Sequence, residues 1–296
     1  FLEALRLKRE TTIENKAALD YYTTHSHQWH CDLDHLLYLS NPFDGMKRHM
    51  PLSIFVAPLL ASIGIPTILH GIKSIGPKYG ITAHKLLLEA GQTPLKSGKS
   101  IQAQLENPEI GWAYIDQSIS FPNAFKLKTL RKNMIKRPFL ATIEKLNPVF
   151  KAKENTIVTG YTHPPYKEKS ISLCHHNNLY DHSIIIRGVE GSSECHPNKR
   201  TRLLFGSNPN AMTETFIEAN ETILYPEFDS ASTTLDFGLK CLKGEIPHHQ
   251  NPCIQMARQL IQYSALKNKE QLTTQLIESI NSAKAIDHWN LAGKIN

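Results

Sequence analysis

Apolar runs alternate with segments of helical spacing along most of the chain. Buried parallel strands read as continuous apolar runs, whereas helices carry apolar residues three or four positions apart. The pattern predicts strands over residues 35–39, 65–69, 112–115, 156–160, 183–188 and 201–205. It predicts helices over residues 52–63, 81–90 and 125–146, the last split at Pro138, and a helical tail over residues 252–294. This order is typical of an α/β fold with a mainly parallel central sheet.

The expected position of a site follows from this sheet. Ligands of open parallel sheets bind beyond the carboxyl ends of the strands. We therefore expect a site in the loops after Leu39, Leu69, Tyr161 and Ile186. The first 33 residues read as short helices, and Phe1 already lies inside a helical pattern, so we expect the true N-terminus to lie upstream.

Composition excludes several classes of protein. With 296 residues, 41% of them hydrophobic, the chain can bury a substantial core, which excludes disordered, collagen-like and small disulfide-stapled proteins. Its 5 cysteines are scattered and include no CxxC pair, so we expect a reduced, cytoplasmic protein. The longest apolar stretch, residues 51–69, is interrupted by Pro58, Gly64 and Pro66, so we expect no membrane span and no membrane partner.

Positive charge is in excess and unevenly placed. The 33 Lys and Arg against 27 Asp and Glu give a net charge of +6, which is compatible with a polyanionic partner. Two clusters are predicted to bind nucleic acid: Lys126, Lys128, Arg131, Lys132 and Lys136 in the first, and Lys199, Arg200 and Arg202 in the second. On a helix, residues 128, 131, 132 and 136 would share a face. The alternative is a solvated cationic face neutralised by acids elsewhere in the fold.

Candidate phosphate and metal sites have weaker signals. The loop over residues 70–82 follows a predicted strand and opens a helix, and its glycines and lysines suit a phosphate, with a plain turn as the alternative. The paired histidines at 175–176 and 248–249 fit no structural zinc spacing. The loop over residues 190–194 has too few carboxylates to predict a magnesium site. No residue is assigned a catalytic role.

Five segments carry a family resemblance: residues 1–8, His70-Gly71 with Lys78 and Gly80, residues 131–137, Asn147-Pro148, and residues 187–194. In this order they resemble a helical-domain segment and the HGN...SKSGSAD, VRKELGIRT, NP and HGxDGLDE motifs of the anthranilate phosphoribosyltransferase family, and the resemblance covers nearly the whole chain. It implies the glycosyltransferase family 3, nucleoside phosphorylase-like fold. In that fold, a small all-helical domain (residues 1–33 with 121–148) accompanies a larger α/β domain (residues 34–120 with 149–296), and the helical part forms a homodimer.

Departures from the family pattern fall in its phosphate-binding elements. Residues 40–45 replace a GTGGDG turn, where Pro42 removes an amide donor and Phe43 fills space that glycine leaves open. Ile72 replaces an asparagine, and Ser193 replaces the aspartate of a metal-binding pair. The resemblance implies a vestigial site for phosphoribosyl diphosphate and its acceptor at Asp44, Gly45, His70, Gly71, Lys78, Gly80 and Arg137, with Glu194 as the remaining, unoccupied metal ligand.

These departures resemble the divergent YbiB-like branch of the family, which binds nucleic acid through basic surface residues. The resemblance implies a protein that binds single-stranded DNA or RNA with strong salt dependence and weak sequence selectivity, and that needs no cofactor. The alternative is a phosphoribosyltransferase that uses magnesium to transfer the phosphoribosyl group to anthranilate or another aromatic acceptor. A third possibility is a scaffold that binds protein partners through its basic groove.

Overall fold

A seven-stranded mixed sheet forms the centre of the computed structural model, which describes residues 1–294. Its strands, in spatial order, are β4 (Trp112–Asp116), β3 (Thr67–Gly71), β2 (His35–Ser40), β6 (Glu154–Gly160), β7 (His182–Ile186), β8 (Thr201–Gly206) and β9 (Thr213–Ile217). The first five are parallel, and β8 and β9 are antiparallel additions at one edge. Two short strands, β1 (Trp29–His30) and β5 (Phe150–Lys151), form a separate parallel pair. The mainly parallel α/β prediction is confirmed.

Helices cover both faces of the sheet. One face carries α3 (Ser53–Ala61), α4 (Ala83–Glu89), α11 (Ala231–Lys243), α12 (Pro252–Tyr263), α13 (Lys269–Asn281) and α14 (Lys284–Ala292). The other carries α1 (Leu2–Lys8), α2 (Thr12–His25), α5 (Gly98–Glu106), α6 (Gln117–Ser120), α7 (Pro122–Lys126), α8 (Lys128–Lys132), α9 (Leu140–Ile143) and α10 (Pro165–Cys174). The described helices include none with the length and apolar composition needed to cross a membrane.

The strands divide their side chains between two cores. Along β2, Leu37 and Leu39 face the core beneath α3, whereas Leu36 and Tyr38 face the core beneath α1 and α2. Both sets are buried, because successive side chains of a strand point to opposite faces and helices cover each face. The division into two domains at the predicted boundaries stays a prediction.

The basic segment over residues 125–146 differs from its prediction. The expected pair of helices split at Pro138 is replaced by the short helices α7, α8 and α9, and the helical backbone stops at Asn133 instead. Like charges spaced three and four apart destabilise a long helix, so this break removes some of that repulsion. Lys136 therefore lies outside any helix, and the predicted four-residue cationic face does not form.

Candidate anion-binding site and basic surface

The loops that follow β2, β3, β6 and β7 meet at the carboxyl edge of the sheet, where the site was expected. They line two cavities. The first lies between the loops after β2 and β3 and has a volume of about 30 Å³, room for about two water molecules. Beside it, Phe43, Ile72 and Ile75 form a small buried cluster of their own, against which Phe125 packs. Apolar side chains therefore fill the region that the family resemblance assigns to a diphosphate.

Asp44 and Arg137 form a bidentate ion pair beside this cluster. The Arg137 Nε and Nη2 atoms each lie 2.7 Å from an Asp44 carboxylate oxygen. The Asp44 side chain is almost fully buried, whereas Arg137 keeps 29% of its side chain exposed. The guanidinium group, which the resemblance places in the vestigial site for phosphoribosyl diphosphate and its acceptor, is thus held by a carboxylate of the chain itself.

Glu190 connects three loops at the same edge. Its carboxylate accepts hydrogen bonds from the backbone N–H groups of Lys47 and Arg48, at 3.1 and 2.8 Å, and from Lys78 Nζ. It also lies 3.3 Å from Nδ1 of His49. Burial alone would raise the pKa of Glu190, but these hydrogen bonds lower it well below the usual range. Burial and the nearby Arg137 lower the pKa of Lys78, whose ammonium is committed to Glu190 and to the Gly45 carbonyl.

Gly45 and Gly80 are required by backbone packing. Met46 and Ile81 exchange backbone hydrogen bonds of 2.8 and 2.9 Å, which brings the loops after β2 and β3 together. A side chain on Gly80 would overlap the Met46 backbone. Gly45 has a φ of +74°, the left-handed region that favours glycine. Both glycines therefore hold two loops in contact, and Gly80 N–H donates to the Asp44 carbonyl.

His70 and Gly71 end β3 and line the small cavity. The His70 ring is buried against the edge of Phe43, and its Nε2 lies 2.8 Å from the Lys145 carbonyl oxygen. Burial lowers the pKa of His70 to about 4, so the ring is neutral near pH 7. A neutral, buried and bonded imidazole stabilises the loops rather than binding an anion by charge.

Glu194 does not offer a metal site. Its two carboxylate oxygens accept hydrogen bonds from the backbone N–H groups of Leu52 and Ser53, at 3.1 and 3.0 Å. These groups begin α3, so the side chain caps the helix and interacts with its positive end. Ser193, at the position of the lost aspartate, bonds to Asn41. The described residues contain no group of three or more side chains arranged to hold a metal, and the magnesium of the family does not fit here.

The second cavity is a cationic cleft of about 240 Å³. Its lining includes five basic side chains, Arg6, Arg48, Lys78, Arg137 and Lys145, and a single carboxylate, Glu190. We call this cavity the cationic cleft. Sequence reasoning missed Arg6 and Lys145, because they are far apart in the chain and only the fold brings them to one cavity. Arg48 was visible only as part of a two-residue basic pair on a loop.

The first basic cluster contains one residue that cannot contact nucleic acid. The Arg131 side chain is only 3% exposed and forms a bidentate ion pair with buried Glu144, at 2.5 and 3.1 Å. The prediction that Arg131 binds a phosphate is therefore wrong, because its guanidinium is turned inward. The remaining lysines of this cluster are exposed or half-exposed, and none has a carboxylate oxygen of residues 1–294 within 4.0 Å of its Nζ: Lys126, Lys128, Lys132 and Lys136.

The second basic cluster lies at the start of β8 and is partly neutralised. Arg200 pairs with Glu218 at 2.9 Å and Arg202 with Glu214 at 3.2 Å, and both guanidinium groups lie over the ring of Phe216. Lys199 is exposed. The Arg187 N–H donates to the Arg202 carbonyl, so this cluster lies at the carboxyl edge of the sheet.

Comparisons with known proteins agree with this architecture. No protein-family model matches the chain. An uncharacterized protein of Aquifex aeolicus is 27% identical over 206 residues, which cover 68% of this chain and 59% of that protein. The uncharacterized protein YbiB of Escherichia coli K12 is 22% identical over 217 residues, which cover 73% of this chain and 66% of YbiB. The matched part thus spans less than two thirds of either curated relative.

A solved structure matches the whole chain. Anthranilate phosphoribosyltransferase from Saccharomyces cerevisiae, in complex with PRPP and Mg, aligns over 100% of this chain and 83% of its own, with a TM-score of 0.76 and 15% identity. The chain has the anthranilate phosphoribosyltransferase fold. This fold and the sequence similarity to YbiB confirm the resemblance inferred from the motifs. At 15% identity the likeness concerns the fold, so the chemistry of this chain has to be judged from its own side chains.

Proposed function

We propose that the protein binds single-stranded nucleic acid through exposed cations at the carboxyl edge of the sheet and on the adjoining helical segment. The observation that carries this proposal is the contrast between arginines held in ion pairs, such as Arg131 and Arg137, and lysines that have no ion pair. Three lysines are exposed and Lys128 is half-exposed, and none of the four has a carboxylate partner among residues 1–294: Lys126, Lys128, Lys132 and Lys136. Exposed cations without carboxylate partners supply the uncompensated positive charge that a phosphate backbone needs.

The former substrate site supports the same conclusion by its contents. Phe43 and Ile72 fill the diphosphate region, Asp44 holds Arg137, and Glu194 caps a helix. A phosphoribosyltransferase needs open amides, a free guanidinium and a metal carboxylate at these positions. We therefore propose a binding protein that uses no metal or other cofactor, and the transferase alternative gains no support from these contacts.

The test is fluorescence anisotropy with a labelled single-stranded oligonucleotide of mixed sequence, at several salt concentrations. The variant Lys128→Gln/Lys132→Gln/Lys136→Gln removes three of the exposed cations. If all three contact phosphates, the slope of log affinity against log salt becomes shallower by about 2, because each contact contributes roughly 0.7 on a single strand. The matched control is Lys243→Gln/Lys267→Gln/Lys284→Gln, which alters three exposed lysines on the opposite helical layer by the same net charge.

Two results would overturn the proposal. One is that the wild-type protein binds no oligonucleotide at low salt. The other is that both triple variants change the slope equally, since net charge alone would then explain binding. Saturable binding of phosphoribosyl diphosphate with magnesium, measured by calorimetry, would instead favour the transferase.

We also propose that the protein forms a homodimer through its helical segments. Six of the ten large hydrophobic side chains that are exposed in the described chain lie within residues 1–33 and 121–148: Phe1, Leu7, Ile13, Tyr21, Leu130 and Ile135. Concentrated apolar exposure of this kind marks interaction surfaces. Light scattering after size exclusion tests the proposal, with Ile13→Asp/Ile135→Asp expected to give a monomer. A cytoplasmic location is proposed because all five cysteines are free thiols.

A further inference from the structure

We propose that the cationic cleft binds a phosphate monoester, and that on a nucleic-acid strand it takes the phosphorylated end. This inference rests on the proposed function but goes beyond it, because backbone binding needs neither a cleft nor a strand end. The exposed lysines would hold the strand along its length. The cleft would add a contact that depends on terminal chemistry.

A buried lysine at the cleft carries the argument. Lys145 is only 7% exposed, and its Nζ donates to the carbonyl oxygens of Gly160 and Gly191, which also line the cleft. An ammonium group has three N–H donors, so these two carbonyls leave one. No carboxylate oxygen of residues 1–294 lies within 4.0 Å of this Nζ. A buried cation without a counter-ion is costly, and a bound anion would remove that cost.

The charges around Lys145 favour a doubly charged ligand. Arg137 and Lys78 are paired with Asp44 and Glu190, whereas the exposed Arg48 side chain has no ion pair within 4.0 Å among the described residues. Lys145 and Arg48 thus supply two uncompensated positive charges. A backbone phosphodiester carries one negative charge, but a phosphate monoester carries about 1.5 to 2 near pH 7. The monoester is therefore the better match.

The surroundings of the cleft suit the end of a strand. Thr142, Thr162 and Ser170 also line it, and each carries a hydroxyl group that is able to donate a hydrogen bond. The Tyr166 ring at its wall faces the Arg6 guanidinium at 5.3 Å, which gives an aromatic surface beside a cation. The first basic cluster also adjoins it, because Lys136 precedes Arg137 in the chain. A strand held by the lysines thus has its end within reach of the cleft.

Proton uptake provides an independent readout. Burial and the nearby Arg137 lower the pKa of Lys145 to about 8. A bound dianion stabilises the protonated ammonium and raises this pKa. Binding of the monoester therefore takes up protons at pH 8 to 9, and its affinity falls as the pH rises through that range.

The experiment compares one oligonucleotide sequence with a 5′-phosphate, a 3′-phosphate and no terminal phosphate, with a nucleoside 5′-monophosphate as competitor. For the wild-type protein, we expect a terminal phosphate to tighten binding at least 10-fold at pH 7 and the gain to shrink at pH 9. Arg48→Gln, an exposed and structurally mild change, and Lys145→Met should each abolish most of the gain. Lys267→Gln, remote from the cleft, should retain it.

The outcomes separate the two proposals. Equal affinity for all three oligonucleotides in the wild-type protein overturns the monoester site and leaves the proposed function intact. If the protein binds the free nucleotide but none of the oligonucleotides, the monoester site stands and the proposed function is overturned. If a terminal phosphate still tightens binding in Arg48→Gln, and in Lys145→Met if that variant folds, the phosphate is bound elsewhere and its assignment to the cleft is overturned. An unfolded Lys145→Met leaves the Arg48 variant and the pH dependence as the deciding measurements.

Discussion

Replacing Arg131 by methionine is expected to destabilise the fold and to leave phosphate contacts unchanged. Both partners of the Arg131–Glu144 pair are almost fully buried, and both donor atoms of the fork are bonded to carboxylate oxygens. Removing the guanidinium leaves the Glu144 carboxylate buried without its counter-ion. Breaking such a pair costs about 3–5 kcal/mol, most of it from the charge left behind. For a chain of this size, we expect the Tm to fall by roughly 6–10 °C.

The assay is a double-mutant cycle read by thermal and urea unfolding. Arg131→Met/Glu144→Leu removes both charges and should recover much of the loss, because an apolar pair avoids the stranded carboxylate. Lys132→Met is the matched control: its side chain is exposed at the next position, and its effect on stability should stay within about 0.5 kcal/mol. In the binding assay we expect the opposite ranking: Lys132→Met weakens the oligonucleotide affinity, whereas Arg131→Met leaves it unchanged. An Arg131→Met protein as stable as the wild type, with the weaker binding expected of Lys132→Met, would refute the reasoning.

Three further predictions concern groups of the vestigial site. His70 has a pKa of about 4 in the folded protein and 6.5 in the unfolded chain, so the unfolded state gains a proton first on acidification. The contribution of His70 to the free energy of unfolding is complete above pH 6.5 and should fall by about 2 kcal/mol at pH 5. In urea unfolding, His70→Asn should lack this pH dependence. Gly80→Ala forces a methyl group onto the Met46 backbone and should lower the free energy of unfolding by about 1–3 kcal/mol; an unchanged midpoint would contradict the contact. Magnesium at 100 times the Kd of a real site would stabilise the protein by about 2.7 kcal/mol, whereas we expect millimolar magnesium to leave the Tm unchanged. Glu194→Gln should lower the Tm, because the α3 cap is weakened.

The strands that the sequence predicted most directly carry successive apolar residues at their centres. Helices cover both faces of β2, β3, β6 and β7, so apolar residues there follow one another instead of alternating with polar ones. Strand β9, Thr213–Ile217, lies at the sheet edge with mostly exposed side chains, and its sequence shows no such run. Helix α10 was missed because its first turn consists of proline and charged residues around Tyr166.

The meeting of the loops at one edge was predictable from the sequence, but their contacts were not. Glycines and cations beyond the strand ends predicted a site at the carboxyl edge of the sheet, and the parallel topology brings these loops together there. The partners of Arg131 and Arg137 were not predictable, since Asp44 lies 93 positions from Arg137 and only the fold brings them within 2.7 Å. A basic run in a sequence therefore does not show which members face solvent.

The Asp44–Arg137 ion pair has a consequence for how the protein responds to its surroundings. It joins the loop after β2 to the segment before α9, a connection that a substrate carboxylate would otherwise have to make. Because both partners belong to one chain, the connection forms without a bound molecule. The arrangement of these loops therefore does not depend on the concentration of a carboxylate ligand, and such a ligand would have to displace Asp44 before it could reach Arg137.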